Sequence, residues 1–257
     1  MTELFSNFAQ YIIVFPLTFL AGVVDAMAGG GGLISLPAFL IAGLPVHNAI
    51  ATNKLSSSMG TSMATFRLSR AGFIPWRQAL LCIAAALAGS ALGARLALLV
   101  SDYIFKRLML VILPVTAFYI MRSKPFDRPA MELEKKQVLL RSSLIAFCIG
   151  IYDGFYGPGT GTFLILLLSG FAGYSLYEAN GMTKAINLTT NLSALTVFLI
   201  NGKVLIPLGL AAGLCNIAGN YVGVNFFKNK GSRIVRPVML GVLAIFFIKT
   251  LTEILSG

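Results

Sequence analysis

The chain has 257 residues, of which 57% are hydrophobic and only 11% charged, with a mean hydropathy of +0.84. A soluble domain is about a quarter charged because its surface must be solvated, so a water-soluble globule is excluded and the chain needs a hydrocarbon solvent. The formal net charge of +11 does not indicate nucleic acid, since the basic residues sit in short connections between apolar stretches and form no binding stripe.

Taken in chain order, apolar stretches near the ~20 residues that an α-helix needs to cross a bilayer core run over 11–28, 75–100, 103–121, 138–156, 204–227 and 235–255. The first has no basic flank ahead of it and is followed by further spans, so it reads as a retained helix and not as a signal peptide. Segments 33–44 and 47–66 read either as two short spans or as one re-entrant hairpin. Cys82, Cys148 and Cys215 lie singly within spans and show no CxxC spacing, which supports neither a metal site nor a disulfide framework. No cofactor is expected.

Self-comparison is the most informative step. VDAMAGGGGLISLP around Asp25 matches YDGFYGPGTGTFLI around Asp153. ATNKLSSSMGTSMATF around Lys54 matches MTKAINLTTNLSALTV around Lys184, and the match continues to Ala71-Gly72 against Asn201-Gly202. A short insertion in the second half accounts for the slightly longer offset of the second block. The same order, an Asp, a glycine-rich break and then a Lys in a hydroxyl- and amide-rich segment, occurs twice. The halves are 1–122 and 138–257, joined by the hydrophilic linker 123–137, which is too short to be a domain.

Lys and Arg then orient the halves. The first, third and fifth connections hold thirteen of them and the second and fourth only three, and positive charge is retained on the cytoplasmic side. Both termini therefore fall on the outer side of the membrane, each half crosses an odd number of times, and the two are inverted relative to each other. The expected architecture is an all-α, polytopic membrane protein made of two inverted-topology repeats of four to five membrane segments each, with glycine-broken helices. Inverted repeats of this kind mark secondary transporters with a midplane site.

Charges inside apolar segments are the sharpest functional clues, since each costs at least ~2.5 kcal/mol at a helix centre. Asp25, Lys54, Asp153 and Lys184 are the four candidates, at equivalent places in the two repeats. A purely structural alternative is that Asp25 pairs with Lys54 and Asp153 with Lys184 as struts. The runs Gly29–Gly32 and Gly157-Pro158-Gly159-Thr160-Gly161 cannot continue a regular helix. Broken backbone at membrane depth is tolerated only beside protein or water, so a break predicts a cavity. The amides opening the next helix, near Leu33 and Thr162, turn a positive dipole end to an anion. Neither run is a nucleotide-binding phosphate loop, and close helix packing is the alternative use of such glycines.

On helices, Asn53, Lys54, Ser57 and Ser58 share one face, as do Thr183, Lys184, Asn187 and Asn191 with Thr190 nearby. An ammonium ringed by hydroxyl and amide groups suits a small oxyanion. The substrate-binding set expected from these patterns is Gly30, Gly31, Asn53, Lys54, Ser57, Gly157, Gly159, Thr160, Thr183, Lys184, Asn187 and Asn191, with Asp25 and Asp153 as proton-coupling residues. Tyr156 follows Asp153 into the second break, within reach of a bound solute. His47, the single histidine, lies in a turn after Pro45 and is set aside as incidental.

With these residues in view, DAMAGGGGLISLPAFLIAGLPVHNAIATNKL, YDGFYGPGTGTF and TKAINLTTN resemble the sulfite exporter TauE/SafE family of membrane permeases, in particular its bacterial inner-membrane branch. The resemblance covers nearly the whole chain. It implies transport of sulfur-containing anions such as sulfite or organosulfonates across the cytoplasmic membrane. By position it implies motif residues Asp25, Gly29–Gly32, Asn53, Lys54, Asp153, Gly157, Gly159, Lys184 and Asn187. Pro158 and Thr160 replace glycines of the first run.

The expected function is a secondary transporter that moves a small anion by alternating access, with proton coupling through Asp25 or Asp153 as an option. Its partners are the anion and the lipid bilayer, a homodimer is compatible with the chain, and nucleic acid is not expected. The rivals are a passive anion channel and an intramembrane enzyme acting on a sulfur compound. The enzyme lacks a nucleophile–base pair, because His47 is alone and the cysteines are dispersed.

Overall fold

The computed structural model describes residues 2–122 and 133–229, together with Ala244, Ile248, Leu251 and Thr252. The described residues are all-α. In chain order the helices are α1 (Thr2–Ala28), α2 (Gly32–Ile41), α3 (Val46–Arg70), α4 (Trp76–Leu99), α5 (Asp102–Arg122), α6 (Lys135–Phe155), α7 (Thr160–Phe171), α8 (Leu176–Ile200) and α9 (Ile206–Asn229). Stretches Tyr11–Ala28, Trp76–Leu99 and Lys135–Phe155 are long and apolar enough to cross a membrane. Of the expected span 235–255 only the four residues above are described, all helical, and most of the linker, 123–132, also lies outside the described residues. Lys135, Lys136 and Gln137, expected in the linker, open α6. The segment 33–66 holds a 10-residue helix, α2, followed by most of the 25-residue α3.

Local sequence explains the boundaries. Pro45 and Pro75 stand at the N-caps of α3 and α4, where a missing N–H costs nothing, and Ser175 with Glu178 forms a capping box for α8. Helices α3 and α8 end in the same way. Gly72 and Gly202 take left-handed φ of 76° and 65°. The N–H of Phe73 reaches the Leu68 carbonyl, and that of Lys203 reaches Phe198, both at 3.0 Å, a Schellman closure. The equivalence extends along the chain. α3 and α8 begin at 46 and 176 and end at 70 and 200, and α4 and α9 begin at 76 and 206. These three boundaries recur in the second half at one constant offset.

Packing is crosswise. α4 lies along α6 and α1 along α9, so each of these close pairs joins the first half of the chain to the second. Both use glycines at matching places. A Cβ at Gly89 or Gly93 would stand 2.3 or 2.0 Å from carbonyl oxygens of α6, and one at Gly219 or Gly223 would stand 2.0 or 2.5 Å from those of α1. Backbones in contact allow no larger residue. Helices α3 and α8 pack on each other in the middle. α7 runs back beside α6, where Arg141 donates to the Phe171 carbonyl at 2.9 Å. Large apolar side chains such as Leu80, Leu99, Leu140, Ile200 and Leu214 cover the outside, while Asp25, Lys54, Asp153, Lys184 and most of the Asn and Thr of α3 and α8 are buried. Apolar surface around a polar interior is the arrangement a bilayer selects.

Candidate functional site

The two glycine runs break their helices where sequence placed them, and the breaks touch. Helix α1 stops at Ala28, Gly29 takes a φ of 72°, and α2 starts at Gly32. Helix α6 stops at Phe155, Gly157 and Gly159 take φ of 96° and 85°, and α7 starts at Thr160. A Cβ on Gly29 would lie 2.2 Å from the Gly161 carbonyl carbon, and one on Gly161 would lie 2.4 Å from the Gly29 oxygen, so neither position admits a side chain. The Thr162 hydroxyl donates to Ala28 O at 2.9 Å across this crossing. Tyr152 and Thr160 hydroxyls satisfy Pro158 O at 2.6 Å and Gly157 O at 2.7 Å. The start of each short helix, Gly31-Gly32 and Thr160-Gly161, faces a common cavity and lends it the positive end of a helix dipole.

The four buried charges pair across the halves, not within them, which corrects the strut arrangement of Asp25 with Lys54 and Asp153 with Lys184. Lys54 Nζ donates to Asp153 Oδ2 at 2.7 Å and to Asn191 Oδ1 at 3.1 Å. Lys184 Nζ donates to Asp25 Oδ2 at 2.9 Å and to the Asp25 backbone carbonyl. The physical reason is the crossing of the breaks: it carries the end of α6 to α3 and the end of α1 to α8. Two full charges taken out of water persist only as a close, hydrogen-bonded pair.

The pairs differ in access. The cavity, of about 20 Å³, has room for one or two water molecules. Asp25 and Asp153, Asn53, Lys54, Ser57 and Thr61 of α3, and Asn187 and Asn191 of α8 line it, together with Asn216 of α9 and the glycine breaks. Lys184 is 0% exposed and lies behind Asp25, outside the lining. Of the residues expected at the site, the structure thus gathers Asp25, Gly31, Asn53, Lys54, Ser57, Asp153, Gly157, Thr160, Asn187 and Asn191 around one space. Gly30 and Gly159 are turn residues whose carbonyls accept from Leu33 and Phe163. Thr183 is buried with its hydroxyl unpartnered, away from the cavity.

Gly29, Gly32, Thr61, Gly161 and Asn216 line the cavity although sequence reading left them out of the substrate set. Thr61 could have been found as the repeat counterpart of Asn191. Asn216 lies in a stretch that reads as a plain apolar span. Tyr156 is buried with an unpartnered hydroxyl, its ring set against Phe105 and Tyr152. His47 is not a bystander in a turn: it lies in the first turn of α3 and its ring bonds Asp102 and, at 2.9 Å, the Ala97 carbonyl, tying three helices together away from the cavity.

The lining combines a lysine–aspartate pair, amide and hydroxyl groups and two helix starts, a set able to hold a small polar or anionic solute. The profile of the family described as Sulfite exporter TauE/SafE matches residues 14–250. The chain belongs to this family. A probable membrane transporter protein, ORF9, of Sinorhizobium sp. is 34% identical over 240 residues, covering 93% of this chain and 92% of the relative. A probable membrane transporter protein of Haemophilus influenzae is 32% identical over 229 residues, 89% of each chain. The probable membrane transporter protein YfcA of Escherichia coli K12 is 31% identical over 243 residues, 94% of this chain and 89% of the relative. No solved structure matches. This TauE/SafE family chain is accordingly a membrane-embedded protein of the transporter class.

Proposed function

We propose that this family member is a secondary transporter in the bacterial inner membrane, carrying a small anion by alternating access between two inverted repeats, 1–122 and 138–257, with both termini periplasmic. The anion class is sulfite or an organosulfur anion such as a sulfonate, as the family's description suggests. Support for the inversion comes from the paired motifs, the alternation of basic connections and the helix boundaries that recur at a constant offset.

The observation that carries the reading is the Lys54–Asp153 pair, bonded at 2.7 Å and open to the cavity. A buried ammonium must keep an anionic partner. An incoming oxyanion can take the place of the carboxylate only if Asp153 is neutralised, and the direct way to neutralise it is a proton. Anion and proton then enter and leave together, and the buried charge stays balanced in every state. Sulfite has four heavy atoms, more than a one- or two-water space admits, so loading requires the helices around the cavity to part. Lys184 holds Asp25 in place behind the site, and Asp25 is the second candidate proton carrier.

The test is sulfite and methanesulfonate flux into proteoliposomes containing the purified chain, with and without an imposed proton gradient. Saturable flux driven by the gradient in the native chain, abolished in Lys54→Ala, is the expected result. Native flux in Lys54→Ala removes the site, and unsaturable flux indifferent to the gradient makes the protein a channel.

A further inference from the structure

Helix α9 contributes two amides, Asn216 and Asn220, that are 3% and 0% exposed. Asn220 Nδ2 donates twice, to the Asn216 backbone carbonyl at 3.1 Å and to Asn216 Oδ1 at 2.7 Å. A backbone carbonyl can only accept, which fixes the orientation of the Asn220 amide. Its second partner must then be an acceptor too, so the atom of Asn216 facing Asn220 is the oxygen. The other polar atom of Asn216, the Nδ2 with two hydrogens, belongs to a side chain that lines the cavity.

The amide pair lies over a gap left for it in α3. A Cβ on Gly60 would stand 1.8 Å from Asn216 Oδ1 and 2.6 Å from Asn220 Nδ2, so no other residue at 60 is compatible with this pose. Both amides are on one helix, and their mutual bond ties no second helix to α9; interhelical glue does not account for them. The opposite wall solves the same packing problem differently. At the equivalent positions of the other repeat stand Thr190, Ala86 and Ser90, and there the Ser90 hydroxyl donates to the Thr190 carbonyl at 2.7 Å. Ala86 presents no polar atom. The donor on the α9 wall is therefore one-sided, an addition to the cavity that the repeat does not demand.

We infer that Asn216 is a direct ligand of the transported oxyanion, donating through Nδ2 to one of its oxygens, with Asn220 and Gly60 as positioning residues that hold the amide in this orientation. The inference rests on the anion site proposed above and adds to it a third helix and a neutral donor. An Nδ2 donor on the cavity wall favours an acceptor-rich anion.

The experiment is the concentration dependence of sulfite flux in proteoliposomes, with thermal unfolding of each purified variant alongside. Asn216→Ala is expected to raise the sulfite KM about tenfold or more, the usual scale for losing a hydrogen bond to a charged group, with little change in maximal rate. Gly60→Ala alone is expected to lower both affinity and unfolding temperature, because the methyl displaces the amide. In Gly60→Ala/Asn216→Ala the methyl enters space the Asn216 amide has vacated and has only the end of the Asn220 side chain, 2.6 Å away, to displace, so adding Gly60→Ala to Asn216→Ala should cost less than adding it to the native chain. That double variant also carries the measurement should either single variant not accumulate. A native KM in Asn216→Ala or in the double variant, beside lost flux in Lys54→Ala, overturns the ligand role and leaves the site standing. Native flux in Lys54→Ala overturns the site instead. If Gly60→Ala lowers the unfolding temperature as much in the Asn216→Ala background as in the native chain, the seating role of Gly60 is overturned.

Discussion

The two lysine–aspartate pairs come from equivalent places in a repeated sequence and end in different surroundings. Lys54 and Asp153 meet at the cavity wall, where Asn191 takes a second bond from the ammonium. Lys184 is sealed at 0% exposure, with both of its bonds on Asp25. Repetition supplies the charges, and small local differences decide which pair can exchange partners. Thr61 and Ser57 on one lysine helix face Asn191 and Asn187 on the other, and only α9 adds an amide. Where water and solute reach a buried pair it can do chemistry. Lys184 is not reached, and it fastens Asp25, whose carboxylate borders the cavity.

The comparison is most easily broken at its sealed end. Lys184→Ala leaves the Asp25 carboxylate buried without its cation, a loss of roughly 3–5 kcal/mol, and is expected to lower the unfolding midpoint in detergent more than any other substitution at the four charges. If Lys184→Ala melts like the native chain, the distinction between fastener and site is wrong. Asp153→Asn keeps shape and hydrogen-bonding capacity but cannot exchange a proton. Sulfite flux down its own gradient should persist, while its response to an imposed pH difference should collapse, as read by counterflow in proteoliposomes. Asn191→Leu removes the acceptor that steadies Lys54, a bond to a charged group, and should weaken sulfite affinity by about tenfold. The smallest effect is expected at Ser57→Ala. Its hydroxyl bonds Asn53 at a long 3.4 Å, so a change in affinity of about twofold, near 0.5 kcal/mol, is the expected outcome of the same assay.

Much of this was legible from residues alone. Four charges in apolar surroundings and two glycine runs announce themselves because hydrocarbon makes both costly; both runs and three of the charges, Asp25, Lys54 and Asp153, border the cavity, while Lys184 stands outside it. The crosswise pairing was not legible. Sequence order puts Asp25 and Lys54 in one half, and only the backbone contact of Gly29 with Gly161 brings each carboxylate to the other half's lysine. Asn216 was hidden for a different reason, since it carries no charge in a helix that still reads as an apolar span, and its role depends on what α3 lacks at Gly60. His47 reads as incidental because a turn after a proline looks like surface, while Ala97 and Asp102 come to it from either side of the junction between α4 and α5.

The crosswise pairing has a consequence for biogenesis. Lys54 leaves the ribosome 99 residues before Asp153, and Asp25 leaves 159 residues before Lys184. At typical synthesis rates of about 5–20 residues per second, the nascent first half waits several seconds in or beside the bilayer with both charges unmatched. It cannot mature as it is made, and the second half must arrive before the first can close. A chain interrupted between residues 122 and 133 should therefore yield two fragments that are degraded when made alone and persist when made together.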